Sequence, residues 1–169
     1  MFSEREAARR DFLAGAGLAA ARREPLSGDA STRAYERLYP VGGGSLILMD
    51  QPPSVETAPC PPDATEAERE ALGFNASYRL AAGRVDAFVA CGGYLRRLGL
   101  SAPQVIASDA AAGLAVLEDL GDDLYARVIE RDVDEGPLYD AAVDVLAVLH
   151  RQRPPETLVA DGATWPLLT

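Results

Sequence analysis

The chain has 169 residues, 48% of them apolar, which suits one ordinary domain with its own core and excludes a disordered composition. Its formal net charge of −10 repels nucleic-acid phosphates and anionic membranes, so neither is expected as a partner. There is no lysine, so any cation that meets an anionic ligand must be an arginine.

Cys60 and Cys91 do not form a CxxC pair and the single histidine, His150, is far along the chain, which argues against a zinc site. Two scattered thiols fit a reducing compartment, and a cytoplasmic location is expected. Residues 2–23 do not read as a secretory signal, because Glu4, Glu6 and Asp11 precede a segment made mostly of Ala and Gly. No apolar run reaches the ~20 residues of a membrane span.

In chain order, residues 3–22 read as a helix with Phe12, Leu13 and Leu18 as a weak apolar stripe, ended by Pro25. Three strands follow: a short one at 25–27, an alternating one at 33–39, and the apolar run 45–49, with a turn at Gly42-Gly43-Gly44. Gln51-Pro52-Pro53 stops the third strand. After a proline-rich loop, Thr65-Glu66-Ala67-Glu68 matches a capping box that opens a helix to about Leu80. A second helix runs from about Val85 to Leu98, with Gly99 as its C-cap. Pro103 introduces a hairpin with strands 104–107 and 114–117. Helices are predicted at 124–130 and 138–149, and the tail from Gln152 reads as irregular. The fold class is therefore α+β: an N-terminal helix (1–23), a five-stranded antiparallel sheet (24–120) with a helical insert (54–83), and a helical part (121–169). A Rossmann domain is disfavoured, because no strand–helix–strand unit carries the glycine-rich fingerprint.

Between the first two strands lies Ser27-Gly28-Asp29-Ala30-Ser31-Thr32-Arg33. Small residues let the backbone approach a ligand, successive N–H groups can form an anion nest, and Arg33 can grip phosphate with two N–H groups. Tyr35, two residues on, places a flat ring where it could cover a base. These residues fit an ordinary polar hairpin as well, since the loop is neither a Walker A sequence nor a complete G-x-G-x-x-G. Further on, Leu114-Ala115-Val116-Leu117-Glu118-Asp119-Leu120-Gly121 takes a buried strand into an acidic pair and a glycine, where sheet gives way to helix.

Taken as an ordered set, these segments, with Leu46-Ile47-Leu48-Met49-Asp50-Gln51-Pro52-Pro53, Pro103-Gln104-Val105 and Leu146-Ala147-Val148-Leu149-His150, resemble the aminoglycoside phosphotransferase-like kinase family. The similarity is closest to its branch of cell-wall recycling amino-sugar 1-kinases. The resemblance covers about residues 24–150 and implies a kinase-like N-terminal lobe followed by the start of a helical C-terminal lobe. It implies ATP and Mg²⁺ as cofactors and phosphorylation of the anomeric hydroxyl of N-acetylmuramate or N-acetylglucosamine. It places Gly28, Asp29, Ala30, Ser31, Thr32, Arg33, Tyr35 and Met49 around ATP, with the backbone of Glu118 and Leu120 on the adenine edge. Phosphoryl transfer of this kind is mostly positioning and electrostatic stabilisation.

The sequence departs from the family in two places. Where the third strand usually offers a lysine to the phosphates it has Met49 and Asp50, so Arg33 is expected to supply the charge, with Arg37 a solvent-facing strand residue or an auxiliary. Asp86 could partner such an arginine or be a surface charge. The family's His-Gly-Asp segment with its following Asn is absent, as is the later metal-binding Asp; His150 is followed by Arg151. No catalytic base and no metal ligands can be nominated in this chain, which is therefore expected to be inactive alone. The alternative is a non-catalytic nucleotide-binding or interaction module. Self-association through exposed C-terminal apolar residues is a further expectation.

Overall fold

The computed structural model describes residues 2–27, 33–52, 63–71, 84–160 and 162–166. Its centre is a five-stranded antiparallel sheet of β1 (Arg22–Pro25), β2 (Ala34–Tyr39), β3 (Leu46–Asp50), β4 (Val105–Asp109) and β5 (Leu114–Glu118), in the order β1-β2-β3-β5-β4. The register runs Tyr35↔Met49↔Ala115 and Leu38↔Leu46↔Glu118, so β3 and β5 are central, as their apolar runs require. Together with the helices, this is the kinase-like N-terminal lobe that the sequence led us to expect.

The two faces of the sheet bury different sets, because side chains alternate along each strand. On one face Leu38, Leu48, Leu114 and Val116 pack with Leu13 of α1 (Phe2–Gly15). Leu38, Leu48, Leu114 and Val116 are fully buried, each contributing about 1.5–3 kcal/mol of transfer free energy. On the other face Met49, Ala115 and Leu117 pack with Val85 of α3 (Val85–Arg97). Between them in sequence, α2 (Glu66–Ala71) opens with the capping box foreseen: Thr65 Oγ1 accepts from the Glu68 N–H at 3.3 Å, and the Thr65 N–H donates to Glu68 Oε2 at 2.8 Å.

The first helix is shorter than its alanine-rich sequence suggested. It stops at Gly15 because Gly17 adopts φ +75° and the Leu18 N–H reaches back to the Leu13 carbonyl at 2.7 Å, a Schellman ending. The first strand comes earlier, at 22–25 rather than 25–27. After β5 come α4 (Tyr125–Ile129) and α5 (Gly136–Arg151), and α5 has no buried residue. The tail is not irregular: β6 (Thr157–Ala160) and β7 (Ala163–Pro166) form a second antiparallel sheet that packs against α3, with Leu158 buried.

Candidate functional site

The turn that carries the predicted phosphate-binding residues opens between β1 and β2, where the Leu26 N–H donates to the Tyr35 carbonyl at 2.9 Å. Gly28, Asp29, Ala30, Ser31 and Thr32 lie outside the described residues. Arg33, which follows them, is described. Its Nε donates to Gln51 Oε1 at 2.7 Å, its Nη1 lies 3.5 Å from the Tyr35 hydroxyl, and its guanidinium sits 5.5 Å from the Phe88 ring centroid. Gln51 is buried and is fixed in turn, its N–H donating to the Gly113 carbonyl at 2.8 Å. Arg33 is thus anchored at the Asp50 end of the sheet, on the face that carries Tyr35.

The segment after β5 lies at the opposite end of the strands, since Glu118 pairs with Leu46 while Leu114 pairs with Asp50. The two ends are about 13 Å apart, four residue steps along β3 at ~3.3 Å each. The Glu118 N–H is committed to the Gln104 carbonyl at 2.8 Å and so is not available to a ligand. Leu120 is half exposed and, among the described residues, its N–H donates to no main-chain carbonyl. Met49 is fully buried under α3 with Val85 and Leu117, which makes its side chain core rather than ligand-facing. Tyr35 and Ile47 on the same face are only partly buried, because α3 packs toward β4 and the β6–β7 sheet instead of β2.

Arg37 is neither solvent-facing nor near Arg33. Its Nε donates to Asp119 Oδ2 at 2.7 Å, and its Nη1 and Nη2 donate to the two oxygens of Asp122 at 3.0 and 2.8 Å. Its hydrogen bonds to Asp122, then Asp119, hold its pKa above the ordinary arginine value. Burial pushes the Asp119 carboxyl up, but hydrogen bonds from Ser45, the Gly121 N–H and Arg37 outweigh it, so its pKa lies below the usual value. Arg37 likewise holds Asp122 low. Asp86 is not a surface charge: it is 2% exposed, and Arg84 grips it through Nε at 3.0 Å and Nη2 at 2.6 Å. Asp50, in the stretch where a lysine was missed, points to the other face, where Arg5 and Arg9 of α1 hold it.

The sequence reading missed the ion pairs of Arg37 and Asp50 because their partners lie 41 to 85 residues apart and no local pattern joins them. Among the described residues no group of three or more His, Cys, Asp or Glu side chains could hold a metal. The acids of the 118–122 segment do not fit Mg²⁺, since Arg37 already occupies Asp119 and Asp122. A shallow depression between α1 and the β4–β5 turn presents Asp11 and Asp109 but no cation among its lining residues, which suits no phosphate ligand. No helix among the described residues is long and apolar enough to cross a membrane.

Comparison with known proteins accords with this architecture. The pattern of the phosphotransferase enzyme family matches residues 22–168. A curated N-acetylmuramate/N-acetylglucosamine kinase of Caulobacter vibrioides is 68% identical over 167 residues, covering 99% of this chain and 46% of the relative. A protein of the same name from Pseudomonas aeruginosa is 30% identical over 128 residues, covering 75% of this chain and 29% of the relative. The chain therefore spans less than half the length of these curated relatives. With the family pattern running from β1 through β7 and the five-stranded sheet in place, the chain belongs to the phosphotransferase enzyme family.

Proposed function

We propose that this chain is the ATP-binding part of an amino-sugar kinase. When complete, the kinase transfers the γ-phosphoryl group to the anomeric hydroxyl of N-acetylmuramate or N-acetylglucosamine in the cytoplasm. The observation that carries the reading is the 68% identity, across almost the whole chain, to the Caulobacter kinase of that name. The sheet face supports it. Tyr35 and Ile47 would cover the base, the Leu120 N–H would meet its edge, and Arg33 with the preceding turn would take the phosphates. Mg²⁺, when bound, would neutralise charge between the phosphates; among the described residues no group of three or more acidic, His or Cys side chains is gathered for it.

Turnover needs groups beyond this chain, because the 169 residues hold no His-Gly-Asp segment to take the sugar proton. A second reading is a non-catalytic nucleotide-binding module. Two measurements separate the readings. Isothermal titration of the chain with ATP should give binding that Arg33→Ala weakens; no heat with wild type would rule out both. A phosphate-transfer assay on the full open reading frame with each sugar should then show turnover. ATP binding without any transfer would leave the module.

A further inference from the structure

The arginine fork across the sheet has a role in that site. We propose that Arg37 is a positioning residue for the nucleotide, fastening the segment after β5 to β2 so that its backbone is held at the adenine edge. The proposal rests on the ATP-binding reading above.

Residues 118–123 carry four carboxylates, Glu118, Asp119, Asp122 and Asp123, in six positions. Such a segment repels itself and would not hold one backbone geometry unaided. Arg37 answers two of those charges with a planar set of donors, which one arginine can aim at two carboxylates and a lysine cannot. Asp119 is turned inward, its side chain 5% exposed, while its neighbour Leu120 is turned out. The inward carboxylate also accepts from the Gly121 N–H at 2.9 Å, and Gly121 takes φ +82°. One carboxylate therefore shapes the turn from within and ties it to β2 across β3.

The tie falls at a useful place. Arg37 pairs with Ile47, which pairs with Leu117, the last buried residue before the segment. Tyr35 lies two residues before Arg37 on the same face. A single strand thus carries both the ring that would cover the base and the clamp that sets the edge. If the clamp opens, the edge moves relative to the ring, and adenine recognition weakens while phosphate recognition, at the far end, is spared.

The test titrates the full chain with ATP and with inorganic tripolyphosphate, which has no base. For Arg37→Ala we expect ATP affinity to fall about tenfold, roughly 1.4 kcal/mol, with tripolyphosphate affinity within twofold of wild type. Arg37→Lys should recover only part of the loss. Equal loss for both ligands, or no loss for ATP in a variant with wild-type circular dichroism, would overturn the proposal. Should Arg37→Ala fail to fold, Asp122→Asn removes one exposed partner. It should speed amide hydrogen exchange at 119–121 and weaken ATP selectively; unchanged exchange and affinity would sink the idea. Wild type binding neither ligand would instead bring down the ATP-binding reading itself, and this proposal with it.

Discussion

Asp50 offers a direct measure of what holds α1 to the sheet. It is 3% exposed, and Arg5 and Arg9 both grip it. Arg5 also donates to the carbonyls of Ala112 and Gly113, and Arg9 to Glu36 at 3.1 Å. Replacing Arg5 by Ala leaves Asp50 with Arg9, so the cost is that of charged hydrogen bonds from a partly exposed group, about 1–2 kcal/mol. Removing both arginines leaves a buried carboxylate without compensation, which costs about 3–5 kcal/mol. Adding Asp50→Asn to that double variant removes the stranded charge and should restore about 2 kcal/mol. In the wild-type background the same Asp50→Asn change should destabilise, since it deprives Arg5 of its counter-ion and leaves Arg9 with Glu36 and Glu6 alone. Urea unfolding followed by circular dichroism reads this directly. At a slope of ~2 kcal/mol/M, the double variant's midpoint should drop by about 2 M. The decisive outcome is the change of sign. If Asp50→Asn shifts the midpoint in the same direction in both backgrounds, the charge-compensation argument fails. If the double variant does not fold, recovery of cooperative unfolding on adding Asp50→Asn carries the same information.

Acid should loosen the molecule through its depressed carboxylates. Glu6, Asp119 and Asp122 all sit below their usual pKa values, Glu6 chiefly through its hydrogen bonds with Arg23. Their folded-state affinity for protons is lower than in the unfolded chain. Their contribution is therefore fully present above about pH 4–4.5 and is lost as pH falls through the lower folded values. Urea midpoints should be flat from pH 5 to 8 and fall below pH 4, with a shallower fall in Arg37→Ala; a midpoint independent of pH down to 3 refutes this. Leu158→Ala, at a buried site in β6, should cost about 2–4 kcal/mol in thermal melts, whereas an undocked hairpin would show almost no effect. Tyr139, Val143 and Leu146 of α5 are 59%, 61% and 54% exposed and share one helix face. We expect the isolated chain to self-associate through that face, and Leu146→Glu to shift sedimentation toward monomer; a monomer at high concentration in wild type contradicts it.

Much of the sheet was legible because its signals are local. The apolar run at 45–49 suits a central strand, the alternation after Arg33 pointed to the two faces of β2, and Thr65 and Glu68 announced α2 at capping-box spacing. The end of α1 was misread because alanines continue to residue 21, and helix propensity alone does not see the Schellman ending at Gly17. The β6–β7 hairpin was missed although Asp161-Gly162, between two short runs, is the dipeptide such turns favour, and Gly162 adopts φ +77°. Four-residue strands give too little alternation to stand out. The ion pairs of Asp50, Asp119 and Asp122 were not legible at all, and for Asp86 the sequence suggested an arginine as partner without singling out its neighbour Arg84. A carboxylate in a sequence looks solvated until the fold buries it, and only the fold says which arginine follows it.

The two faces of the sheet explain why those buried carboxylates lie where they do. On the α1 side the strands are closed by leucines, and the remaining polar residues, Glu36 and Asp50, are tied to Arg5, Arg9 and Arg23, which leaves a face that only packs. On the other side α3 packs mainly toward β4 and the β6–β7 hairpin, so that Tyr35 of β2 meets its cluster only at the margin. The strip that the described residues leave only partly buried bears Tyr35 and Arg37, with Arg33 at one end and the acidic segment at the other. Arg37, clamped by two carboxylates, gives its charge up to structure, whereas the contacts of Arg33 with Gln51, Tyr35 and Phe88 hold it at the other end of the strand. Lacking lysine, this chain ties both ends of β2 with arginines, Arg33 to a buried amide and Arg37 to a pair of carboxylates, so the strand is fixed at each end by a different chemistry.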